Sequence, residues 1–147
     1  MPNGTTIDAS RVASDLHVAI GRVVRRLRQA HVPGDLTLSE ASVLARLDRA
    51  GPATPGELAA EERVRPQAMC TTLAALERRE LVVRAGDPAD GRRVLMSVTD
   101  SGRQLLVDRR GVKAAWMARA LGHGFTDDEL RLLADAAPLL ERVADML

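Results

Sequence analysis

The stretch Thr54-Pro-Gly-Glu-Leu-Ala-Ala-Glu-Glu-Arg-Val-Arg-Pro-Gln-Ala-Met69 decides how this chain is read. Thr54 followed three residues later by Glu57 is a helix-opening pair, in which each side chain satisfies a free backbone N–H of the other. Pro55 takes the first helical position, where its missing N–H costs nothing. A short helix to about Glu62 follows, then a tight connection over Arg63 to Arg65, then a helix starting at Pro66 and running to about Arg79. At about 100° per residue, Met69, Leu73 and Leu76 share one side of that helix. Gln67, Thr71, Ala75 and Arg78 lie opposite, with Ala68 and Thr72 flanking. Cys70 is placed on the inward side beside Leu73, where a buried thiol is inert. The outward face near the helix start is small and polar.

Reading outward from this pair, a second Thr and Glu couple, Thr37 with Glu40, opens an upstream helix with Leu38, Ala41, Leu44 and Leu47 inward, ended by Gly51-Pro52. Downstream, Leu81-Val82-Val83-Arg84 reads as one strand and the alternation of Val94, Met96 and Val98 as another. Between them Gly86-Asp-Pro-Ala-Asp-Gly91 is dense in turn formers, which predicts a hairpin with a longish loop. Thr99 caps a further helix containing Leu105, Leu106, Val112, Trp116 and Met117 and ending near Gly122-His-Gly124. The flanks are helical too. From Asp8 to His31, Val12, Leu16, Ala19, Ile20, Val23 and Leu27 repeat at three and four, with Arg22, Arg25, Arg26 and Arg28 on the other face. His31-Val32-Pro33-Gly34-Asp35 stops this helix. Thr126 with Glu129 opens the last segment, where Leu130, Leu133, Ala137, Leu140, Ala144 and Leu147 have the spacing of helices packed along a seam. Pro138 is expected to kink or split it. Seam-forming helices at both ends predict a partner subunit.

Composition sets the outer limits. With 147 residues, 46% of them apolar, the chain is long enough for one packed domain and short for two. One Trp, one Phe and no Tyr leave a core of Leu, Val and Ala, which suits a mainly α fold. The net charge of +1 hides a segregation of signs. Arg63 to Arg93 holds seven Arg against Glu77, Glu80, Asp87 and Asp90, while residues 125 to 147 hold six acids against two Arg. A basic middle suits a polyanion. Twenty of the 21 cations are Arg, so biased composition competes with phosphate binding as the explanation. The single Cys70 excludes an internal disulfide framework, and the polar start lacks the apolar stretch of a signal peptide. No apolar run approaches the roughly 20 residues that span a bilayer, so a cytoplasmic protein with no membrane partner is expected. His17, His31 and His123 lack ligand spacing, no metal or other cofactor is expected, and no phosphate loop or nucleophile motif suggests an enzyme.

Helix, helix, tight turn, helix and hairpin in that order form a winged helix-turn-helix arrangement. A groove-reading helix needs short donors and acceptors at its start, with phosphates to either side. Gln67 suits the N6 and N7 edge of adenine, Thr71 and Thr72 accept or donate, and Ala68 suits a thymine methyl. Arg65 and Arg78 bracket the face, placed for phosphate, with guanine also within reach of Arg65. Arg92 or Arg93 supplies the long cation that a narrow, negative minor groove attracts. Asp90 is expected to hold the Arg92 guanidinium in a bidentate pair, a wing-positioning role.

These residues resemble the multiple antibiotic resistance regulator (MarR) family of bacterial transcription factors. The resemblance runs from the first helix to the last and is sharpest from Leu58 to Gly102. It is carried by Leu58-Ala-Ala60, Val64-Arg-Pro-Gln-Ala-Met69, Leu76-Glu-Arg-Arg-Glu-Leu-Val82, Asp87-Pro-Ala-Asp-Gly-Arg92 and Val98-Thr-Asp-Ser-Gly102 in order. It implies one MarR-type domain over 1–147, with dimerisation helices about 8–31 and 100–147 and a winged helix-turn-helix DNA-binding region about 37–99. It further implies a homodimeric repressor on a double-stranded, pseudo-palindromic operator, released by a small phenolic or anionic effector, with Arg92 at the wing tip and Asp90 its partner. Trp116 is weighed as either packing or the lining of an effector pocket between the dimerisation helices and the reading head. Two departures stand out: Ala89 replaces a second wing cation, and Glu80 replaces a helix-ending Gly. A winged-helix protein–protein adaptor that does not bind DNA is the alternative from another class.

Overall fold

In a computed structural model of the chain, residues 7–30 and 34–147 are described, so the expected helix stop at His31-Val32-Pro33 lies outside them. The elements run α1 (Ala9–Arg28), α2 (Leu38–Ala50), α3 (Pro55–Glu61), α4 (Pro66–Arg78), β1 (Val82–Gly86), β2 (Val94–Val98), α5 (Asp100–Gly124) and α6 (Asp127–Met146). All three Thr and Glu couples form reciprocal caps. Thr37, Thr54 and Thr126 each accept the N–H three residues on, and Glu40, Glu57 and Glu129 each accept the Thr N–H. The mainly α fold with a small β-hairpin is as the sequence predicts.

The chain divides into two compact units, Met1–Ala30 with Val112–Leu147, and His31–Gly111. The second is the winged-helix unit. Val43, Leu44, Leu47, Leu58, Met69, Leu73, Leu76 and Met96 fill its core. β1 and β2 pair antiparallel with Val82 opposite Val98 and Gly86 opposite Val94. Ala53, between α2 and α3, adds an isolated bridge to Met96, with hydrogen bonds of 3.2 and 2.8 Å, so the middle of β2 is stitched to the entry of α3. At the start of α5, the Thr99 hydroxyl donates to the Glu80 carbonyl at 2.7 Å and accepts the Gly102 N–H at 3.1 Å. Gly102 is required there, because a Cβ would collide with the Leu81 carbonyl and lie 2.8 Å from Val98 Cγ2.

Helices α3 and α4 end alike. The N–H of Arg63 bonds to Ala60 and that of Val64 to Ala59, and the N–H of Glu80 bonds to Glu77 and that of Leu81 to Leu76. Both are paired Schellman closures, which need a left-handed residue just past the helix. Arg63 (φ 53°) and Glu80 (φ 57°) take that conformation although neither is glycine. The departure noted at Glu80 is therefore a residue held where glycine is cheapest.

The other unit contains α1, the second half of α5, and α6. Neither α1 nor α6 has a buried residue. Along α1, Val12, Ile20 and Val23 are 42%, 44% and 45% exposed. Three expectations are corrected. Leu38 is 53% exposed, because the first turn of α2 faces the core with Glu40 and Ala41 instead, and Leu36 is buried just before it. Cys70 is exposed, because the buried stripe of α4 is no wider than Met69, Leu73 and Leu76. Pro138 sits inside an α6 that runs on unsplit among mostly exposed residues, so the split allowed for in the sequence does not occur.

Candidate nucleic-acid interface

The candidate surface is built on α4. Burial of Met69, Leu73 and Leu76 against the core fixes the helix rotation, and that rotation leaves Gln67, Ala68, Thr71 and Arg78 exposed and Thr72 half-buried. Arg65 is the N-cap residue, extended in backbone (φ −66°, ψ 143°), with no side-chain capping bond. Its guanidinium is thus not needed by the helix. The Thr71 hydroxyl donates to the Gln67 carbonyl at 3.1 Å and that of Thr72 to the Ala68 carbonyl at 3.2 Å. With its hydrogen used internally, each oxygen is left as an acceptor. That sharpens the sequence reading, in which both directions stood open.

The wing loop is organised by its own acids. Asp87 Oδ1 accepts the Ala89 N–H at 2.9 Å and Asp90 Oδ1 accepts the Arg92 N–H at 3.1 Å. The Asp87 N–H donates to the Arg93 carbonyl and the Arg93 N–H to the Asp90 carbonyl, both at 2.9 Å. Asp90 therefore positions Arg92 through its main chain. The expected guanidinium pair is absent among the described residues, because the short Asp side chain closes on the amide two residues on, as in an Asx turn. Arg92 is left exposed at the loop end without an ion pair among the described residues, and the same holds for Arg63, Arg65 and Arg78.

Arg93 differs. Its guanidinium lies 2.6 Å from Glu57 Oε1 on α3 and 3.8 Å from Asp87 Oδ2. The Thr54 backbone N–H, and then Arg93, hold the Glu57 carboxyl below its ordinary value despite some desolvation. Two more arginines are tied down. Arg84 pairs with Glu77 at 3.0 Å, and Arg46 grips Glu61 at 2.9 Å while donating to the Gly51 carbonyl at 3.0 Å, which braces α2 against α3. Sequence reading found Glu57 only as a cap and missed its pairing with Arg93, and it missed Arg46 and Arg84. Their partners are up to 36 residues away, with no short-range spacing to flag them.

Among the described residues no group of His, Cys, Asp and Glu is arranged to hold a metal, and no helix is long and apolar enough to cross a membrane. Trp116 is found in the unit of the terminal helices. There it lines an apolar cleft of about 470 Å³ with Val23, Leu27, Met117, Leu121 and Phe125, with Arg22 and Arg26 also on its wall.

A helix fixed by core burial with a polar outer face, preceded by a short capped helix and followed by a hairpin, defines a winged helix-turn-helix protein. The sequence pattern of the MarR family matches residues 34–93. An HTH-type transcriptional regulator of Mycobacterium bovis is 39% identical over 136 residues, covering 92% of this chain and 94% of that protein. A solved transcriptional regulator of Pseudomonas aeruginosa is 36% identical with a TM-score of 0.78, covering 91% of this chain and 94% of that one. The fold is also that of a Staphylococcus aureus MepR mutant bound to an oligodeoxyribonucleotide, at 19% identity and a TM-score of 0.65, over 92% and 98% of the two chains. The chain belongs to the MarR family and is a transcriptional regulator, not an enzyme.

Proposed function

We propose that the protein is a homodimeric repressor that reads a pseudo-palindromic operator with α4 and the wing. The observation that carries this is the α4 surface. Arg65, Gln67, Ala68 and Thr71 are exposed together on a helix whose other side is locked into the core, and Arg65 and Arg78 bring unneutralised charge to its two ends. Base edges are met by Gln67, Ala68, Thr71 and Thr72, phosphates by Arg65 and Arg78, and the adjacent minor groove by Arg92. The solved MepR complex with an oligodeoxyribonucleotide supports the same use of the fold.

Two copies are joined through the terminal helices, whose apolar stripes are left unburied among the described residues. Their recognition helices then face half-sites about 10 bp apart. Release follows from an effector with an apolar body and an anionic group. The cleft beside Trp116 and Phe125 offers the apolar wall, and Arg22 and Arg26 offer the counter-charge. Such a ligand weakens DNA binding by its differential affinity for the two states of the dimer. Enriching genomic fragments on the purified protein, then titrating the enriched duplex against salt, tests the reading. Specific binding that weakens steeply with salt is expected. An absence of binding at low salt would mean an adaptor.

A further inference from the structure

The hairpin touches the entry of α3 at two described points. One is the main-chain bridge between Ala53 and Met96, and the other is the ion pair between Glu57 and Arg93. Met96 and Arg93 are three residues apart, about 10 Å along an extended strand. Two attachments at that separation fix direction as well as position. The bridge alone leaves the outer part of the hairpin free to swing about Met96.

The geometry points to Glu57 as a wing-positioning residue and to Arg93 as its anchor, rather than as a second cation for DNA. Glu57 divides its two oxygens between the two tasks. Oε2 accepts the Thr54 N–H at 2.8 Å and closes the cap of α3, and Oε1 takes the Arg93 guanidinium at 2.6 Å. Arg93 also spans to Asp87, the residue whose N–H returns to the Arg93 carbonyl, so its side chain links α3 to both ends of the loop. Arg92, the neighbouring residue, is the cation left free. Adjacent residues of a hairpin thus carry separate duties, one holding the wing and the other reaching out from it.

The division of oxygens provides a clean variant. Gln is a normal member of this kind of cap. Glu57→Gln therefore keeps an oxygen for Thr54 while turning an NH2 towards Arg93, which cuts the strut and spares the helix. The primary measurement is amide hydrogen exchange of residues 86–93 in the free, full-length protein, which does not depend on DNA binding. Glu57→Gln and Arg93→Gln are each expected to speed exchange roughly two- to fivefold, the range for one exposed ion pair. The double variant should add little to either.

If Glu57→Gln leaves exchange unchanged, or if the double variant shows the two effects multiplied, Glu57 does not position the wing. A second measurement rests on the proposed DNA-reading function and uses a 30-bp random-sequence duplex. The strut predicts that both single variants weaken binding by similar factors with the salt dependence unchanged. If Arg93→Gln instead lowers the salt slope by about one, Arg93 is a phosphate contact and the anchor assignment fails. A protein that binds no duplex at all would defeat the DNA-reading function while leaving the exchange result intact.

Discussion

In the winged-helix unit Leu44, Leu47, Leu58, Leu73 and Leu76 are at most 2% exposed, whereas in the terminal unit Leu133, Val143 and Val23 keep 46%, 47% and 45% of their surface in water. Both sets sit on helices with one-sided apolar patterns, and in the sequence only the seam-like spacing of the terminal helices sets them apart. Buried apolar area stabilises a fold at about 25 cal/mol per Å², and area left exposed contributes nothing. The winged-helix unit closes its core within one chain. The stripes of α1 and α6 contribute comparably only when another surface covers them. The pattern in a sequence therefore marks a surface to be buried without saying what buries it.

The largest expected effect probes the closed side of this contrast. Leu44→Ala should cost about 2–5 kcal/mol in urea unfolding, since a fully buried leucine leaves a cavity. A loss below 1 kcal/mol would mean that the core collapses around the gap. Gly102→Ala comes next, at about 1–3 kcal/mol, because the new methyl meets the Leu81 carbonyl and Val98 and one element must move. An unchanged melting temperature would show that the start of α5 yields freely.

The open side is tested by Leu133→Ala. On a lone chain an exposed leucine matters by within about 0.5 kcal/mol. Covered by a second copy, it should cost about 1–2 kcal/mol and make the melting temperature fall on dilution. Sedimentation of this variant and the parent across a hundredfold dilution series checks it directly. Identical, concentration-independent behaviour would remove the contrast between the units.

Glu80→Gly is expected to stabilise the winged-helix unit by about 0.5–1 kcal/mol, since the left-handed backbone at φ 57° suits glycine. A drop in thermal stability would mean that the Glu80 side chain contributes more than the strain it imposes. The smallest effect concerns acid. In the terminal unit the Thr126 N–H and hydroxyl hold the Glu129 carboxyl below its ordinary value of 4.5. A lowered carboxylate contributes stability that is present above the unfolded value and lost as pH falls through the folded one. Thermal melts of the parent and Glu129→Gln should therefore differ at pH 7 and converge towards pH 3. A constant gap would show that the charge has no part in this cap.

The sequence was most legible where partners are close in number. Three Thr and Glu couples, the turn of α3 into α4, and the inward Met69, Leu73 and Leu76 all follow from spacings of three or four. The inward placement of Cys70 was misjudged because periodicity gives a direction around a helix and not the width of the surface packed against it. Leu38 failed for a related reason, since the buried stripe of α2 starts from Glu40 and Ala41 and passes it by. Asp90 was expected to hold a guanidinium and instead accepts a main-chain amide, because the choice between the two depends on loop closure. The strut from Glu57 to Arg93 joins residues whose proximity exists only once the hairpin bridges to Ala53.

Helix α4 is bracketed by two residues in a conformation that glycine adopts at no cost, Arg63 before it and Glu80 after it. At Glu80 a change to glycine exchanges tension for ease and removes one negative charge beside the proposed DNA-reading helix, so both changes act in the same direction. At Arg63 the same change relaxes the turn but withdraws a cation from the approach to α4, so under the proposed function stability and attraction to DNA move in opposite directions. Under the proposed function, a chain drifting towards greater stability would accept glycine at one end of α4 and resist it at the other.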